Sequence, residues 1–422
     1  LEAIHAAGAQ VPTLCWDERL SPAGACRVCL VLVDDRTQAS CTTPVHEGAA
    51  IVTDDAAVRE TVRGVLGLLT AGLPERALEL PASRSELVAT CEHLAVVRVP
   101  GPSARAPREV DDSHPYIRLD PDLCIACGRC VRMCDEVQGT FALELAGRGA
   151  QTVVAPAGGS WAASDCVACG GCLDTCPTGA LSEAALRDPA PIDRVTTTTC
   201  GYCGVGCSLD VHVREDRIAA ITPTHGAPVN RGHACVKGRF AFGYATHPDR
   251  VLTPMIRERI TDDWRVVSWE EAIAHAAEKL RRIQATHGRD AIGGITSSRC
   301  TNEETFLVQK LVRAAFGTNN VDTCARVCHS PTGYGLKHTL GESAGTQEFD
   351  SVMQADVIMV IGANPTDGHP VFASRIKQRL RQGARLIVID PRAIGLVKAP
   401  HVEAAYHLAL RPGTNVAVIN AI

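Results

Sequence analysis

The sequence predicts a multidomain chain, with small α+β metal-binding units first and an α/β region carrying a parallel sheet after them. Three observations lead there. Its 422 residues exceed one ordinary domain, and at roughly 150 residues per domain they suggest about three structural units. The chain holds 20 cysteines, most of them in tight Cys-x-x-Cys groups that aim thiolates at a common centre; disulfide frameworks belong instead to small secreted domains. From residue 249 onward, apolar strand-like runs alternate with amphipathic helical stretches, the signature of βαβ units. Hydrophobic residues at 45% and charged residues at 21% are a globular composition, and no run of 18 apolar residues offers a membrane span. A net charge of -5 provides no basic stripe, so nucleic acid is not an expected partner. Both ends read as cut: Leu1 to Ala7 opens directly as an amphipathic helix, and Asn415 to Ile422 stops inside another helical pattern.

Residues 1–53 hold Cys15, Cys26, Cys29 and Cys41, and the apolar segment Leu30 to Val33 after them reads as a strand. Four thiolates suit either a [2Fe–2S] cluster or a structural zinc, and the spacing alone leaves both open. The segment resembles the N-terminal [2Fe–2S] domain shared by formate dehydrogenase, hydrogenase and respiratory complex I large subunits, which implies the cluster. Residues 54–112 follow, rich in Ala, Arg and Pro. Relatives with this layout carry a His-plus-three-Cys [4Fe–4S] site here, but Cys91 alone cannot replace three ligands. We therefore expect Cys91 to be a leftover buried thiol and His93 a surface or helix-face histidine, with Pro100, Pro102 and Pro107 marking a linker.

Residues 113–189 repeat one motif. Cys124, Cys127, Cys130 and Cys134 follow C-x2-C-x2-C-x3-C, and Cys166, Cys169, Cys172 and Cys176 repeat it with Pro177 behind. In this bacterial two-cluster ferredoxin run the fourth cysteine ligates the other cluster. The expected sets are Cys124, Cys127, Cys130 and Cys176 for one [4Fe–4S] cluster, and Cys166, Cys169, Cys172 and Cys134 for the second. Zinc competes poorly, since it gives the x3-C-P ending no role.

Residues 190–248 contain Cys200, Cys203, Cys207 and Cys235, with Gly201, Gly204 and Gly206 among the first three, where they let the backbone wrap closely. TCGYCGVGC followed by NRGHACVKGRF resembles the [4Fe–4S] domain of the molybdopterin oxidoreductase family. That resemblance implies a third [4Fe–4S] cluster, with Lys237 matching the lysine between cluster and pterin.

In residues 249–422, Ser268-x-x-Glu271 reads as a capping box for a helix whose apolar face is Ile273, Ala276, Ala277, Leu280 and Ile283, ending at Gly288. Thr301-x-x-Glu304 opens another helix, closed by Gly317. Val357 to Ile361, the helix Phe372 to Arg381 stopped by Gly383, and Leu386 to Ile389 form a βαβ unit. Ligands of a parallel sheet bind beyond the carboxyl ends of its strands. No GxGxxG fingerprint is present, so ordinary NAD binding is not indicated. IGANPTDGHP, LIVIDPR and LRPGTN instead resemble the region that holds molybdopterin guanine dinucleotide in the same family. The resemblance nominates Gly362, Asn364, His369, Asp390, Arg392, Gly413 and Thr414 as its contacts.

The segment Asn320 to Gly333 reads NVDTCARVCHSPTG. Cys324, Cys328 and His329 carry no fixed meaning by spacing, but Cys-Ala-Arg-x-Cys-His resembles the active-site loop of formate dehydrogenases. It implies Cys328 as ligand of a molybdenum or tungsten held by two molybdopterin guanine dinucleotides, and His329 as the histidine acting at formate. Oxidising formate to carbon dioxide removes two electrons that side chains cannot accept, so a redox metal suits the chemistry. The resemblance further implies a cytoplasmic hetero-oligomer in which a flavin- and NAD-binding subunit or a hydrogenase receives the electrons.

Overall fold

The computed structural model describes residues 1–97, 107–184 and 191–422. The predicted linker prolines Pro100 and Pro102 lie outside them. The chain forms two compact units, one from Leu1–Phe242 together with Phe349–Ile422, the other Gly243–Glu348.

The first unit opens with α1 (Glu2–Ala6). The predicted strand is β1 (Leu30–Val33), paired antiparallel with β2 (Arg36–Ala39) and β3 (Ile51–Val52). Asp34 and Asp35 both take positive φ, the conformation a two-residue hairpin turn requires. Helix α2 (Ala56–Ala71) is capped by Asp55, whose carboxylate accepts the Val58 N–H at 2.9 Å, and it buries Val58, Val62 and Leu66 at i, i+4 spacing. In α3 (Glu86–His93), Cys91 is only half-buried against the same core, where a buried thiol is expected, and His93 is exposed on the helix. The Leu87 N–H donates to the Pro177 carbonyl at 2.9 Å, which ties α3 to the second cysteine run.

Next come β4 (Ile117–Leu119), α4 (Arg129–Arg132) running into a π-helical turn at Met133–Gln138, the hairpin β5 (Leu143–Ala146) and β6 (Val153–Pro156), α5 (Gly171–Asp174) and β7 (Leu181–Glu183), which pairs antiparallel with β4. One hydrophobic core runs continuously from Ile4 to Leu181 and includes cysteines of both regions. A separate antiparallel sheet, in the order β10-β9-β8, is built from β8 (Arg194–Thr199), β9 (Ser208–Arg214) and β10 (Arg217–Pro223), with α6 (Val236–Phe240) after it.

The second unit contains the hairpin β11 (Met255–Ile256) and β12 (Arg265–Val266), then α7 (Trp269–His287), β13 (Gly294–Thr296), α8 (Asn302–Ala315), β14 (Val321–Thr323), α9 (Ala325–Cys328) and α10 (Ser330–Leu340). Strands β13 and β14 are parallel. Thr301 and Glu304 complete a reciprocal capping box, and Gly317 takes φ 67° one residue past the α8 C-cap Phe316. Ser268 is only half a box: its hydroxyl accepts the Glu271 N–H, but the Glu271 carboxylate accepts from Arg265 at 2.7 Å instead of turning back. The expected apolar face of α7 is only partly covered, with Ile273 63% exposed and Leu280 half-buried.

The first unit resumes with β15 (Val357–Ile361), α11 (Pro365–Gly368), α12 (Pro370–Arg381), β16 (Arg385–Ile389), the short pair β17 (Lys398–Ala399) and β18 (Val402–Glu403), β19 (Tyr406–Leu408) and α13 (Asn415–Ala421). Strands β15, β16 and β19 form a parallel sheet in that order, so the predicted βαβ unit gains a third strand. Among the described residues, no helix is long and apolar enough to cross a membrane.

Candidate functional site

The two cysteine runs fold alike. Ala126 and Ala168 take φ of 53° and 51°, and Gly128 and Gly170 take 73° and 74°. Alternating left-handed residues turn successive amides inward, a concavity suited to negative charge. The Ala126 N–H accordingly donates to Cys124 Sγ at 3.3 Å and the Ala168 N–H to Cys166 Sγ at 3.4 Å. The runs also exchange their last cysteines. Cys124, Cys127, Cys130 and Cys176 line one space, walled by Leu119, Ile125, Val154 and Leu181. Cys134 lies near enough to Cys166, Cys169 and Cys172 to perturb their ionisation. Further amides reach the exchanged sulfurs, Ala142 to Cys134 at 3.1 Å and Leu181 to Cys176 at 3.4 Å.

Burial pushes Cys127 and Cys169 up to about 12 and holds Cys130 and Cys172 well above the ordinary thiol range. Thiols in such apolar sites ionise when bound cations supply the compensating charge, so a cluster fits these donors. Cys15, Cys26, Cys29 and Cys41 are all buried. The Cys26 N–H donates to Cys15 Sγ at 3.4 Å, and the Cys26 thiol contact, outweighing burial, brings Cys15 down to about 5. Burial and then the Cys29 contact push Cys41 up to about 11. Cys200, Cys203, Cys207 and Cys235 ring a space closed by Leu209, Pro370 and Val371. Of the three glycines there only Gly206 takes positive φ, at 71°. Gly238 is the close approach instead, since a Cβ on it would sit 3.3 Å from Cys200 Sγ. Among the described residues, no three His, Cys, Asp or Glu side chains converge on a single ion.

Lys237 follows Cys235 in α6 and donates from Nζ to the Asp367 carbonyl in α11 at 2.7 Å. The Asn364 amide in turn donates to the Asp367 carboxylate at 2.7 Å. Beside this link opens a cavity of about 390 Å³ lined by Cys169, Cys235, Lys237, Thr366, Asp367 and Lys377. Its size falls within the range of small-molecule sites. Gly362 and Asn364 follow β15, Asp390 and Arg392 follow β16, and Gly413 and Thr414 follow β19, so six of the seven nominated contacts share the carboxyl edge of one parallel sheet. Asp390 is buried and accepts the Arg392 N–H at 2.8 Å, while Arg392 itself is exposed. Gly362 takes φ 58° and Gly413 φ 86°. His369 is exposed between α11 and α12, in the connection that follows β15.

Cys324, Cys328 and His329 belong to the second unit. Cys324 directly follows β14, and its sulfur accepts the Ser298 N–H at 3.2 Å from the loop after β13. The Ser298 hydroxyl holds the Cys324 thiol below its ordinary range. Cys328 ends α9 and His329 links it to α10. All three are exposed and lie beyond the carboxyl end of the parallel pair β13–β14, where open α/β sheets bind ligands.

Several residues bearing on the site carry no readable motif. Asp17 accepts from Arg19 Nη2 at 2.8 Å and from the Thr175 hydroxyl at 2.9 Å, and Arg129 comes within 3.5 Å. Arg132 donates to the Cys15 carbonyl at 2.5 Å. Nδ1 of His114 accepts the Tyr116 and Ile117 N–H groups, which leaves Nε2 protonated and 3.7 Å from Cys166 Sγ. Lys377 packs its stem on Gly139 and donates to the Gly139 carbonyl at 3.3 Å. Arg239 reaches from α6 to the second cysteine run.

The molybdopterin oxidoreductase family model matches residues 250–422, and the Fe4S4 domain model of that family matches 193–247. The chain belongs to the molybdopterin oxidoreductase family. A 2Fe-2S iron-sulfur cluster binding domain matches 1–56, and the ferredoxin-like domain of NADH-quinone oxidoreductase subunit 3 matches 114–182. Its architecture is therefore iron–sulfur ferredoxin-like domains followed by a molybdopterin oxidoreductase domain. "Probable oxidoreductase YjgC" of Bacillus subtilis is 31% identical over 468 residues, covering 100% of this chain and 47% of that protein. The "NADPH-Fe(3+) oxidoreductase subunit alpha" of Geobacter sulfurreducens is 32% identical, at 100% and 49%. A "Putative formate dehydrogenase" of Staphylococcus aureus is 29% identical, at 100% and 47%. The chain thus spans about half the length of the curated relatives it matches. Among solved structures, an NAD+-reducing [NiFe]-hydrogenase is similar at 30% identity and a TM-score of 0.41, over 46% of this chain and 84% of that one.

Proposed function

We propose that this molybdopterin oxidoreductase is the catalytic subunit of a formate dehydrogenase, built from segments 1–53, 54–112, 113–189, 190–248 and 249–422. The observation that carries the reading is the loop Cys324-Ala-Arg-Val-Cys328-His329. It resembles the formate dehydrogenase active-site loop and lies beyond the carboxyl end of two parallel strands. The Staphylococcus relative supports it by name across the whole chain. Molybdenum or tungsten on two molybdopterin guanine dinucleotides would supply the two-electron acceptor that side chains lack. Cys328 is the proposed thiolate ligand, suited to a soft, high-valent centre, and His329 the group that holds and moves a proton near neutral pH. Gly362, Asn364, His369, Asp390, Arg392, Gly413 and Thr414 are the proposed dinucleotide contacts. Lys237 carries a positive charge beside Cys235 and would favour arrival of an electron there.

The cysteine sets would hold one [2Fe–2S] and three [4Fe–4S] clusters, roughly fourteen iron atoms. Electrons would pass from the Cys200–Cys235 site through the ferredoxin-type pair to the Cys15–Cys41 site. From there they would reach a flavin- and NAD-binding subunit or a hydrogenase in a cytoplasmic hetero-oligomer. A second reading, an electron-conducting subunit without formate activity, is favoured by the Geobacter relative, whose name specifies NADPH and Fe(3+) instead. Metal analysis combined with formate-dependent dye reduction on the full-length protein separates the two. Molybdenum or tungsten with formate activity supports the first, and metal-free protein with intact clusters supports the second.

A further inference from the structure

Arg239 is among the most deeply buried large side chains of the chain. Its backbone N–H donates to the Cys235 carbonyl at 3.0 Å, anchoring it to the Cys200–Cys235 site. The side chain leaves that site altogether. Nη1 donates to the Gly170 carbonyl at 3.2 Å and to the Asp174 carboxylate at 2.5 Å, and Nη2 reaches Glu183 at 3.4 Å. Gly170 directly follows Cys169, and Asp174 lies between Cys172 and Cys176 in the same loop. A Cβ on Gly170 would stand 2.5–2.7 Å from the Arg239 side chain, so the loop is shaped around the guanidinium.

Two features make this more than a structural pin. A buried cation with two carboxylates is weak evidence for stability, because well-packed apolar residues would serve as well. The charge also sits against the cysteine run itself: Nη1 bonds the carbonyl of Gly170, the residue after Cys169, and the carboxylate of Asp174, two residues past Cys172. A cluster gains one negative charge on reduction, and buried charges nearby set how readily it does so.

We propose that Arg239 is the positioning residue for the electron step between the Cys200–Cys235 cluster and the cluster of Cys134, Cys166, Cys169 and Cys172. It bridges the two ligand loops and places beside the acceptor a positive charge that favours its reduction. This rests on the cluster reading above. In the step one electron leaves the reduced donor cluster, oxidising it by one unit, and reduces the acceptor by one unit; no bond or proton moves.

The test is a redox titration of the full-length protein followed by electron paramagnetic resonance, with iron counted in every sample. Arg239→Gln should lower the midpoint of one [4Fe–4S] signal, Asp174→Asn should raise that same midpoint, and Arg239→Lys should leave it near wild type. The other signals should not move. A purely structural residue gives no such pair of opposite shifts. Unchanged midpoints, or shifts in the same direction, in fully loaded Arg239→Gln and Asp174→Asn would overturn the proposal. Should Arg239→Gln lose iron, Asp174→Asn decides, and no upward shift in it counts against Arg239. A wild-type iron count too low for both clusters would overturn instead the cluster reading itself.

Discussion

Gly128→Ala and Gly170→Ala make a matched pair, because the two glycines hold the same place in the two cysteine runs at nearly the same φ, 73° and 74°. Each substitution forces a side chain into the left-handed region, at a cost of roughly 1–2 kcal/mol. At Gly128 nothing further follows, since the new Cβ meets only Leu145 at 3.9 Å, an ordinary contact. At Gly170 it would meet Cδ, Nε and Cζ of Arg239 at 2.5–2.7 Å. Arg239 is only 2% exposed and has no solvent to retreat into. Displacing it leaves Asp174 and Glu183 buried without their cation, and breaking a buried pair costs about 3–5 kcal/mol more. Amide hydrogen exchange on the anaerobic, cluster-loaded protein reads local opening segment by segment. Protection across residues 166–183 should fall by roughly two to four further orders of magnitude in Gly170→Ala than protection around residues 124–134 falls in Gly128→Ala. Equal losses in the two variants would refute the role given to the Arg239 contact.

Cys176→Ser should abolish the same [4Fe–4S] resonance as Cys124→Ser and remove about four iron atoms; loss of the Cys166→Ser signal instead would contradict the exchange of fourth cysteines. Asp17 is penalised by burial, but the bonds from Arg19 outweigh this and hold its carboxyl well below the usual carboxylate range. With a folded pKa below the unfolded one, its stabilisation is complete above the unfolded value of about 3.9 and is lost as pH falls toward the folded value. Asp17→Asn should therefore lower the thermal midpoint at neutral pH and flatten its decline between about pH 5 and pH 3, which a pH series of melting curves measures. Lys237→Met should slow cluster reduction by formate in rapid mixing while metal and iron contents stay unchanged, and a wild-type rate would remove Lys237 from the relay.

Much of the fold is legible because it rests on local rules. Val357–Ile361 is an apolar run bounded by turn residues, and Thr301 with Glu304 is a complete cap within four positions. Strand β19 escapes such reading: Tyr406–Leu408 is three residues long, and only the edge of β16 makes it a strand. Glu271 shows the limit from the other side, since a local box lost its carboxylate to Arg265. In the candidate site the cysteines could be read because ligand spacing is a local property. Arg239, Arg132, Asp17 and His114 could not, because each acts on a residue far away in sequence that no periodicity records, from 52 positions for His114 and Cys166 to 158 for Asp17 and Thr175. A buried arginine looks like any surface arginine until its partners are in place.

The most direct measurement is the anaerobic mixing of formate with full-length protein, with no other reductant, followed by absorbance of the iron–sulfur clusters. The wild type should bleach, and Cys328→Ala should stay oxidised under formate yet bleach with dithionite, because the proposed metal ligation and electron relay use different cysteines. Clusters that dithionite reduces but formate leaves oxidised in the metal-loaded wild type, or bleaching by formate that survives Cys328→Ala, would contradict formate oxidation at Cys328.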